Sequence, residues 1–184
     1  MGVLVIARHN KIRDELLYLS RRSFNSAYVC AEPLIHQGRA IYELEICQGS
    51  DKHKDTRGDV MIQGLWDRQV NVIIDARLGD AGADTYKYKP MTSLLARWEK
   101  IKKDKHSKNC HDQRKHFSPF VLLLDGMIGR EDLVILSQLS RVMSEKSEET
   151  ILQVRGWVNR RIAIAVARSY SWMILRARLP SPLQ

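Results

Sequence analysis

Cysteines are few in this sequence and long apolar segments are absent, and both facts narrow the class of protein. The three cysteines, Cys30, Cys47 and Cys110, are odd in number and unpatterned, which argues against a disulfide scaffold and favours a reducing compartment. The most apolar run, 162–175, is interrupted by Arg168 and is too short to cross a bilayer. We therefore predict a soluble, intracellular protein with no membrane partner.

Glycine-rich nucleotide-binding loops are also missing from the sequence. It contains neither a P-loop nor a dinucleotide-binding pattern, and no serine stands in a nucleophile elbow. Chemistry that depends on ATP, on dinucleotides or on a serine nucleophile is therefore not expected.

Acidic residues become scarce in the second half of the chain. Residues 1–91 carry 13 Lys and Arg against 12 Asp and Glu (+1), whereas residues 92–184 carry 17 against 9 (+8), which together give the net charge of +9. A basic half on a folded chain indicates a polyanionic partner, most often nucleic acid. The alternative is a soluble protein whose surface is simply positive.

Much of this excess charge lies on one predicted helix and the turn after it. Only Glu99, Asp104 and Asp112 oppose it there. Such a series would lie along a phosphate backbone and give salt-sensitive binding without sequence preference, although a solvated helix face is the commoner fate of a charge run. The predicted nucleic-acid contacts of this series are Arg97, Lys100, Lys103, Lys105, Lys108, Arg114 and Lys115.

Apolar residues at helical spacing predict four helices, at 10–24, about 92–108, about 129–145 and about 148–176. Thr92 is a plausible N-cap of the second helix. The residues predicted to face inward are Ile12, Leu16 and Leu19, with Leu17 as a further candidate; then Leu94, Leu95, Trp98 and Ile101; then Leu133, Leu136, either Leu139 or Ser140, and Met143; and finally Ile151, Val154, Val158, Ile162, Ala165 and Val166.

Three strands are predicted between these helices. The first two, 59–65 and 70–78, would be antiparallel across a short polar break, and the third, 117–124, would be buried on both faces. Residues 31–57 show no periodicity and predict an irregular connection. The order α-β-β-α-β-α-α predicts α/β layer packing in one domain, with segments 1–57 (helix and connection), 58–128 (strands and basic helix) and 129–184 (helical pair).

Two acids stand among strand-forming residues, Asp59 in the run Gly58–Ile62 and Asp75 in the run Val72–Leu78. A carboxylate in such surroundings is costly unless it is paired or holds a cation. Two acids on neighbouring strands would suit a hard divalent cation such as Mg²⁺, and Arg77, on the same strand face as Asp75, would contact a phosphate. The alternative is that these acids pair with Arg57, Arg68 or Arg77.

Histidines and a cysteine near residue 110 raise the question of zinc. His106 and Cys110 are one helical turn apart and could share a metal ion, with His111 and His116 following. No paired Cys-x-x-Cys accompanies them, and neighbouring lysines oppose a cation. We therefore do not expect zinc here.

Several short motifs resemble a known family. They are Arg8-His9-Asn10 before the first helix, Arg57-Gly58-Asp59 at the first strand, the run from Ile73 to Asp80 at the second, and the later segment from Gln113 through Asp125-Gly126 to Glu131. Together they resemble the restriction-like, PD-(D/E)XK-type endonuclease domain found at the C-terminus of non-LTR retrotransposon polyproteins. Arg77 stands where such a nuclease usually has lysine, and Gly58 where it usually has proline.

The resemblance implies a restriction-endonuclease-like core, α-β-β-α-β, followed by two C-terminal helices. It implies that Asp59 and Asp75 bind Mg²⁺ or Mn²⁺, with Asp80 as a candidate third ligand and Glu15 as a weaker one, and that Asp59, Asp75 and Arg77 act in catalysis. It also makes His9 a candidate base or phosphate contact. The partner would be DNA, the location nuclear, and polymerase and zinc-knuckle modules would stand upstream in the full polyprotein.

Three functional interpretations remain open from the sequence. The first is a DNA-nicking, metal-dependent endonuclease. The second is a catalytically inactive nucleic-acid-binding remnant of that domain, because arginine at position 77 cannot give up a proton as lysine can. The third is a small basic α/β interaction protein with no nucleic-acid role.

Overall fold

The computed structural model describes residues 2–36, 56–83, 85–86 and 88–178. Its helices are α1 (Gly2–Ser23), α2 (Met91–Asp112), α3 (Arg130–Ser144) and α4 (Ile151–Arg178). Its strands are β1 (Val29–Ala31), β2 (Leu34–His36), β3 (Thr56–Arg57), β4 (Val60–Gln63), β5 (Asn71–Gly79) and β6 (His116–Leu123). The mixed α/β class is therefore confirmed. No helix in these ranges is long and apolar enough to pass through a bilayer.

A four-stranded mixed sheet forms the centre of the fold, in the order β1-β4-β5-β6. The β4–β5 pair is antiparallel, as predicted, and its connection turns at Gly64, whose φ of +87° suits glycine. Strands β5 and β6 run parallel because α2 lies between them as the crossover. The order of α1, β4, β5, α2 and β6 agrees with the predicted sequence of elements.

Three short strands lie where no strand was predicted. β1 pairs with β4 at the edge of the sheet, and β2 pairs with β3 in a separate two-stranded ribbon. The prediction of an irregular segment from 31 to 57 is therefore wrong at both of its ends, and residues 37–55 lie outside the described residues. Strands of two or three residues carry too little alternation to be recognised from sequence.

The two faces of the sheet differ in chemistry. On β5, Val72, Ile74, Ala76 and Leu78 enter the main core, which α1, α3 and α4 cover. The intervening residues Ile73, Asp75 and Arg77 point to the opposite face, where α2 packs. Of these three side chains, two are charged.

The inward face of α2 corrects two predictions. The N-cap position is Pro90, and Thr92 is exposed in the first turn. Ile101 is 45% exposed rather than buried. The stripe that begins at Trp98 continues through Lys102 and His106, because α2 crosses the sheet above Asp75 and presents polar side chains there.

The remaining helices follow their predicted stripes with small corrections. The α1 residues Ile12, Leu16 and Leu19 are fully buried, although the helix begins at Gly2 rather than near residue 10. In α3 and α4 the predicted stripes are buried except at their first members, since Leu133 is 44% and Ile151 is 45% exposed. Leu133 lies off the buried face of α3, to which the preceding Asp132 belongs, and Ile151 is the first residue of α4.

Candidate active site

The β4–β5 register brings Asp59 and Asp75 to adjacent positions. Val60 pairs with Ile74, and one residue earlier the Asp59 amide donates to the Ile74 carbonyl at 2.9 Å. Because side chains alternate along a strand, Asp59 and Asp75 share the face opposite Ile74. Gly58 permits the close approach of the strands here, since a Cβ at that position would lie 2.4 Å from Cγ2 of Ile73.

The Asp59 carboxylate is buried and fully engaged. Oδ1 accepts a hydrogen bond from Nε2 of His9 at 2.8 Å, and Oδ2 accepts one from the Ala76 amide at 2.6 Å. Burial alone would raise the pKa of Asp59, but the hydrogen bond and charge of His9 outweigh it and leave that pKa lowered. The same hydrogen bond raises the pKa of His9. Asp59 is therefore held as an anion beside an imidazole that favours its cationic form.

The Asp75 carboxylate is engaged from α2. Nζ of Lys102 lies 2.5 Å from Oδ2, and Nε2 of His106 lies 3.5 Å from the same oxygen. Burial raises the pKa of Asp75, and the charge of Asp59 raises it further, against the opposing effect of Lys102. Strand register and this electrostatic effect together show that the two predicted acids are neighbours on one sheet face.

His106 contributes a neutral ring to this site. It is 3% exposed, and burial together with the charges of Lys105 and Lys102 lowers its pKa to about 4. It is consequently uncharged at neutral pH. Within the described part of the chain, its buried Nδ1 has no hydrogen-bond partner.

Lys102 was not predicted as a site residue, and His106 was considered only as a zinc ligand, although the sequence carries a signal for both. They follow Trp98 at intervals of four residues, so a helix that buries Trp98 also turns them inward. A lysine and a histidine on an apolar stripe indicate a buried charged partner. That partner is Asp75.

Arg77 lies near the pair but is held differently from the prediction. Its guanidinium stacks over the ring of Trp98, with Cζ 4.4 Å from the ring centroid. Trp98 fits there because Gly79 has no side chain, since a Cβ would lie 1.9 Å from Cζ3 of the ring. The cation that contacts Asp75 is thus Lys102 rather than Arg77.

Two other predicted ligands lie apart from this pair. Asp80 is exposed and accepts a hydrogen bond from the Gly82 amide at 2.9 Å in the loop after β5. It is five residues beyond Asp75, which corresponds to about 16 Å of extended chain. Glu15 forms a two-point ion pair with Arg161, at 2.6 and 2.9 Å. Asp80 and Glu15 thus have other partners in the protein, and their roles as metal ligands stay predictions.

The predicted nucleic-acid contacts divide into several groups. Lys105 lines the groove above Asp75 together with Ile101, and His9 lies at its floor. Lys103 instead forms an ion pair with Glu131, and Lys115 donates to Oε1 of Gln113 at 2.8 Å. The remaining members of the set are exposed, and they are Arg97, Lys100, Lys108 and Arg114.

The histidines considered for zinc are scattered. His106 and Cys110 are buried under α2, whereas His111 and His116 are exposed, and His116 lies 3.7 Å from Asp67. Over the described ranges, no three His, Cys, Asp or Glu side chains are grouped so as to hold a metal ion. The acidic residues that strand register brings together are therefore the pair Asp59 and Asp75.

No family model, curated protein or solved structure matches this chain.

Proposed function

We propose that this chain is a metal-dependent endonuclease that nicks DNA. The observation that carries the proposal is that strand register sets Asp59 and Asp75 side by side on one sheet face, with Lys102 bonded to Asp75. Burial and the charge of Asp59 raise the pKa of Asp75, so a cation beside this carboxylate would stabilise its ionised form. The two carboxylates and the Lys102 ammonium are thus groups of the kind that metal-dependent phosphodiester hydrolysis requires.

The acid pair suits Mg²⁺ or Mn²⁺. In phosphate chemistry Mg²⁺ is bound by one or two carboxylates, while water and phosphate oxygens complete its shell, so a pair of protein ligands is sufficient. When bound, such an ion polarises the phosphate and lowers the pKa of a coordinated water. Asp59 and Asp75 would hold it, and the hydrogen bonds from His9 and Ala76 fix the orientation of Asp59.

Lys102 supplies the positive charge of the reaction. During hydrolysis the water oxygen bonds to phosphorus, one P–O ester bond breaks, and the leaving oxygen takes up a proton. An ammonium beside Asp75 stabilises the negative charge that develops on the phosphate. His106, uncharged at neutral pH, adds no positive charge beside the same carboxylate.

The fold and the surface charge support the same proposal. The order α1, β4, β5, α2, β6 agrees with a restriction-endonuclease-like core, in which the acids stand on the first two strands of the motif. Lys105 on the groove rim and the exposed cations of α2 suit a phosphate backbone. Origin from a non-LTR retrotransposon polyprotein, with a nuclear location and upstream modules, stays a prediction from the short motifs.

A plasmid-nicking assay tests the proposal. With Mg²⁺ or Mn²⁺ we expect the wild-type chain to convert supercoiled plasmid to the nicked form, and Asp75→Ala to abolish the conversion. Asp80→Ala is the matched control, because this acid of the same segment lies outside the pair and its loss should leave nicking intact. Absence of nicking by the wild type with either ion would refute the proposal.

One observation favours the inactive DNA-binding alternative. Both Asp59 oxygens and one Asp75 oxygen already have partners in the protein, so the acids also form a satisfied ion-pair network. In that case the chain would bind DNA in a salt-sensitive way, and neither Mg²⁺ nor Mn²⁺ would produce nicks.

A further inference from the structure

Arg77 is a cation near the acid pair that has no role in the proposed cleavage. Its guanidinium lies over Trp98, and Tyr86 meets the edge of the same ring at a centroid distance of 5.4 Å. This stacked arrangement fixes the plane of the guanidinium and leaves its edge for hydrogen bonds. Arg77 is thus oriented before any ligand arrives.

The guanidinium has no counter-charge among the described residues. No carboxylate in these ranges forms an ion pair with Arg77, whereas Arg13 has two carboxylate partners, and Arg141 and Arg161 have one each. Burial lowers the pKa of Arg77, yet an arginine remains a cation at neutral pH. A partly desolvated cation that has no anionic partner in the described part of the chain is suited to bind an anion from outside.

The position of Arg77 relates it to the acid pair. Arg77 and Asp75 both line the groove that also holds Lys105. They are two residues apart on one strand face, which separates their Cβ atoms by about 6.6 Å. Consecutive phosphates of one DNA strand are roughly 7 Å apart, because each rise of 3.4 Å is accompanied by a rotation of the backbone around the helix axis. A backbone with one phosphate at the acid pair therefore brings another phosphate towards Arg77.

We infer that Arg77, stacked on Trp98, binds a backbone phosphate next to the one held at Asp59 and Asp75, so that the site engages two phosphates of one strand. The inference rests on the proposed endonuclease function. Arginine suits this role because its fork can make two parallel hydrogen bonds to phosphate. It makes Arg77 a substrate-binding group and leaves Lys102 as the cation at the reacting phosphate.

Methylphosphonate scanning tests this inference. A DNA duplex that the chain binds is prepared with one neutral methylphosphonate at each position in turn, and binding is measured with Ca²⁺ in place of Mg²⁺. For the wild type we expect about a tenfold loss of affinity at one flanking position. Arg77→Ala should show the same loss on unmodified DNA and no additional loss at that position, as in a double-mutant cycle.

Two further variants keep the result interpretable. Arg141→Ala removes an exposed arginine of α3 and should change affinity less than twofold and show no position-specific coupling. If Arg77→Ala does not fold, Arg77→Lys, which keeps the charge but cannot form the fork, should give an intermediate loss at the same position. If methylphosphonate substitution lowers the DNA affinity of Arg77→Ala equally at every position, or lowers it at no position, the inference is overturned.

The outcome separates the two proposals. If the coupled position is found but Mg²⁺ and Mn²⁺ produce no nicks, the Arg77 phosphate site stands and the endonuclease fails. If nicking occurs without a coupled position, the endonuclease stands and the Arg77 site is wrong.

Discussion

The two faces of the central sheet differ in the polarity of their side chains, although the same strands form both. Towards α1, α3 and α4, the buried side chains of β4, β5 and β6 are aliphatic or aromatic except for Ser118. Towards α2, the apolar contacts form two small clusters, one around Trp98 and one around Ile73. Charged and polar groups of the acid site occupy the sheet surface between them.

The two faces of the sheet therefore contribute differently to the stability of the fold. A buried aliphatic face contributes roughly in proportion to the area removed from water. Buried charges contribute little net stability, because desolvation offsets their mutual attraction. The face under α2 is therefore the one where the fold accepts an energetic cost, and such costs are commonly found at functional sites.

The neighbouring isoleucines of β5 offer the most direct way to break this comparison. Ile74 and Ile73 are both fully buried and point to opposite faces. Ile74→Ala should lower the free energy of unfolding by about 3 kcal/mol, because it opens a cavity in the main core. Ile73→Ala should cost less, since it belongs to a small cluster at the margin. Urea unfolding followed by circular dichroism measures both, and an equal or larger loss for Ile73→Ala would contradict the comparison.

The next prediction uses adjacent lysines of α2. Lys102 contacts Asp75, whereas Lys103 pairs with Glu131 on α3. In the nicking assay, Lys102→Met should reduce the rate about 100-fold, which equals about 2.7 kcal/mol of transition-state stabilisation. Lys103→Met is the matched control and should change the nicking rate less than threefold, an order-of-magnitude expectation for an exposed ion pair. Similar losses for both variants would indicate a general charge effect rather than a placed cation.

The sequence was sufficient to predict the parts of this arrangement that depend on local spacing. Helical stripes located all four helices, and alternation together with a short polar break located the β4–β5 hairpin. Because a hairpin fixes which residues become neighbours, the approach of Asp59 and Asp75 could be predicted as well. The hairpin register does not locate Asp80, since β5 ends at Gly79, and its role as a third ligand stays a prediction.

Other parts depend on tertiary packing and could not be predicted from local patterns. The choice of Lys102 over Arg77 as the partner of Asp75 follows from where α2 crosses the sheet, which in turn depends on Trp98 fitting against Gly79. Likewise, Glu15 could not be assigned until α4 brought Arg161 to it. The position of the crossover helix and the docking of α4 depend on contacts between residues that are distant in sequence. A local sequence pattern therefore cannot predict them.

The contact between Gly79 and Trp98 gives a third prediction, which sharpens the comparison at the boundary of the site. In Gly79→Ala the new methyl group would meet the Trp98 ring, so the ring must shift. We expect a loss of about 2 kcal/mol in stability from overpacking, together with weaker DNA binding, because Arg77 loses its platform. Gly156→Ala on α4 is the control, because its new methyl group would meet open space, and it should leave stability unchanged or raise it. Gly126→Ala is less suitable because the φ of Gly126 is +93°. An unchanged melting temperature for Gly79→Ala would show that α2 is not anchored at Trp98.

A second buried acid on the α2 side allows the smallest prediction. Asp132 is fully buried, and its Oδ2 accepts hydrogen bonds from the amides of Val121 and Gly129 at 2.7 and 3.2 Å. Across the described residues its Oδ1 and the buried Oε1 of Glu99 have no hydrogen-bond partner, and both carboxyl groups border Gly129. Burial raises the pKa of Asp132 well above its ordinary value, and the charges of Glu99 and Glu131 act in the same direction.

The sign of the resulting pH dependence follows from the raised pKa. The neutral form of Asp132 is favoured by folding, so its stabilising contribution is complete at low pH and is lost as the pH rises through the folded-state pKa. Asp132→Asn mimics the neutral acid and keeps an acceptor for both amides. Relative to this variant, the wild type should be less stable at pH 8 than at pH 5 in urea unfolding. Asp132→Ala should instead be destabilised at both pH values, because it leaves the Val121 amide unpaired. A constant difference between wild type and Asp132→Asn would mean that Asp132 is ionised throughout, and that its burial resembles that of Asp59 rather than contrasting with it.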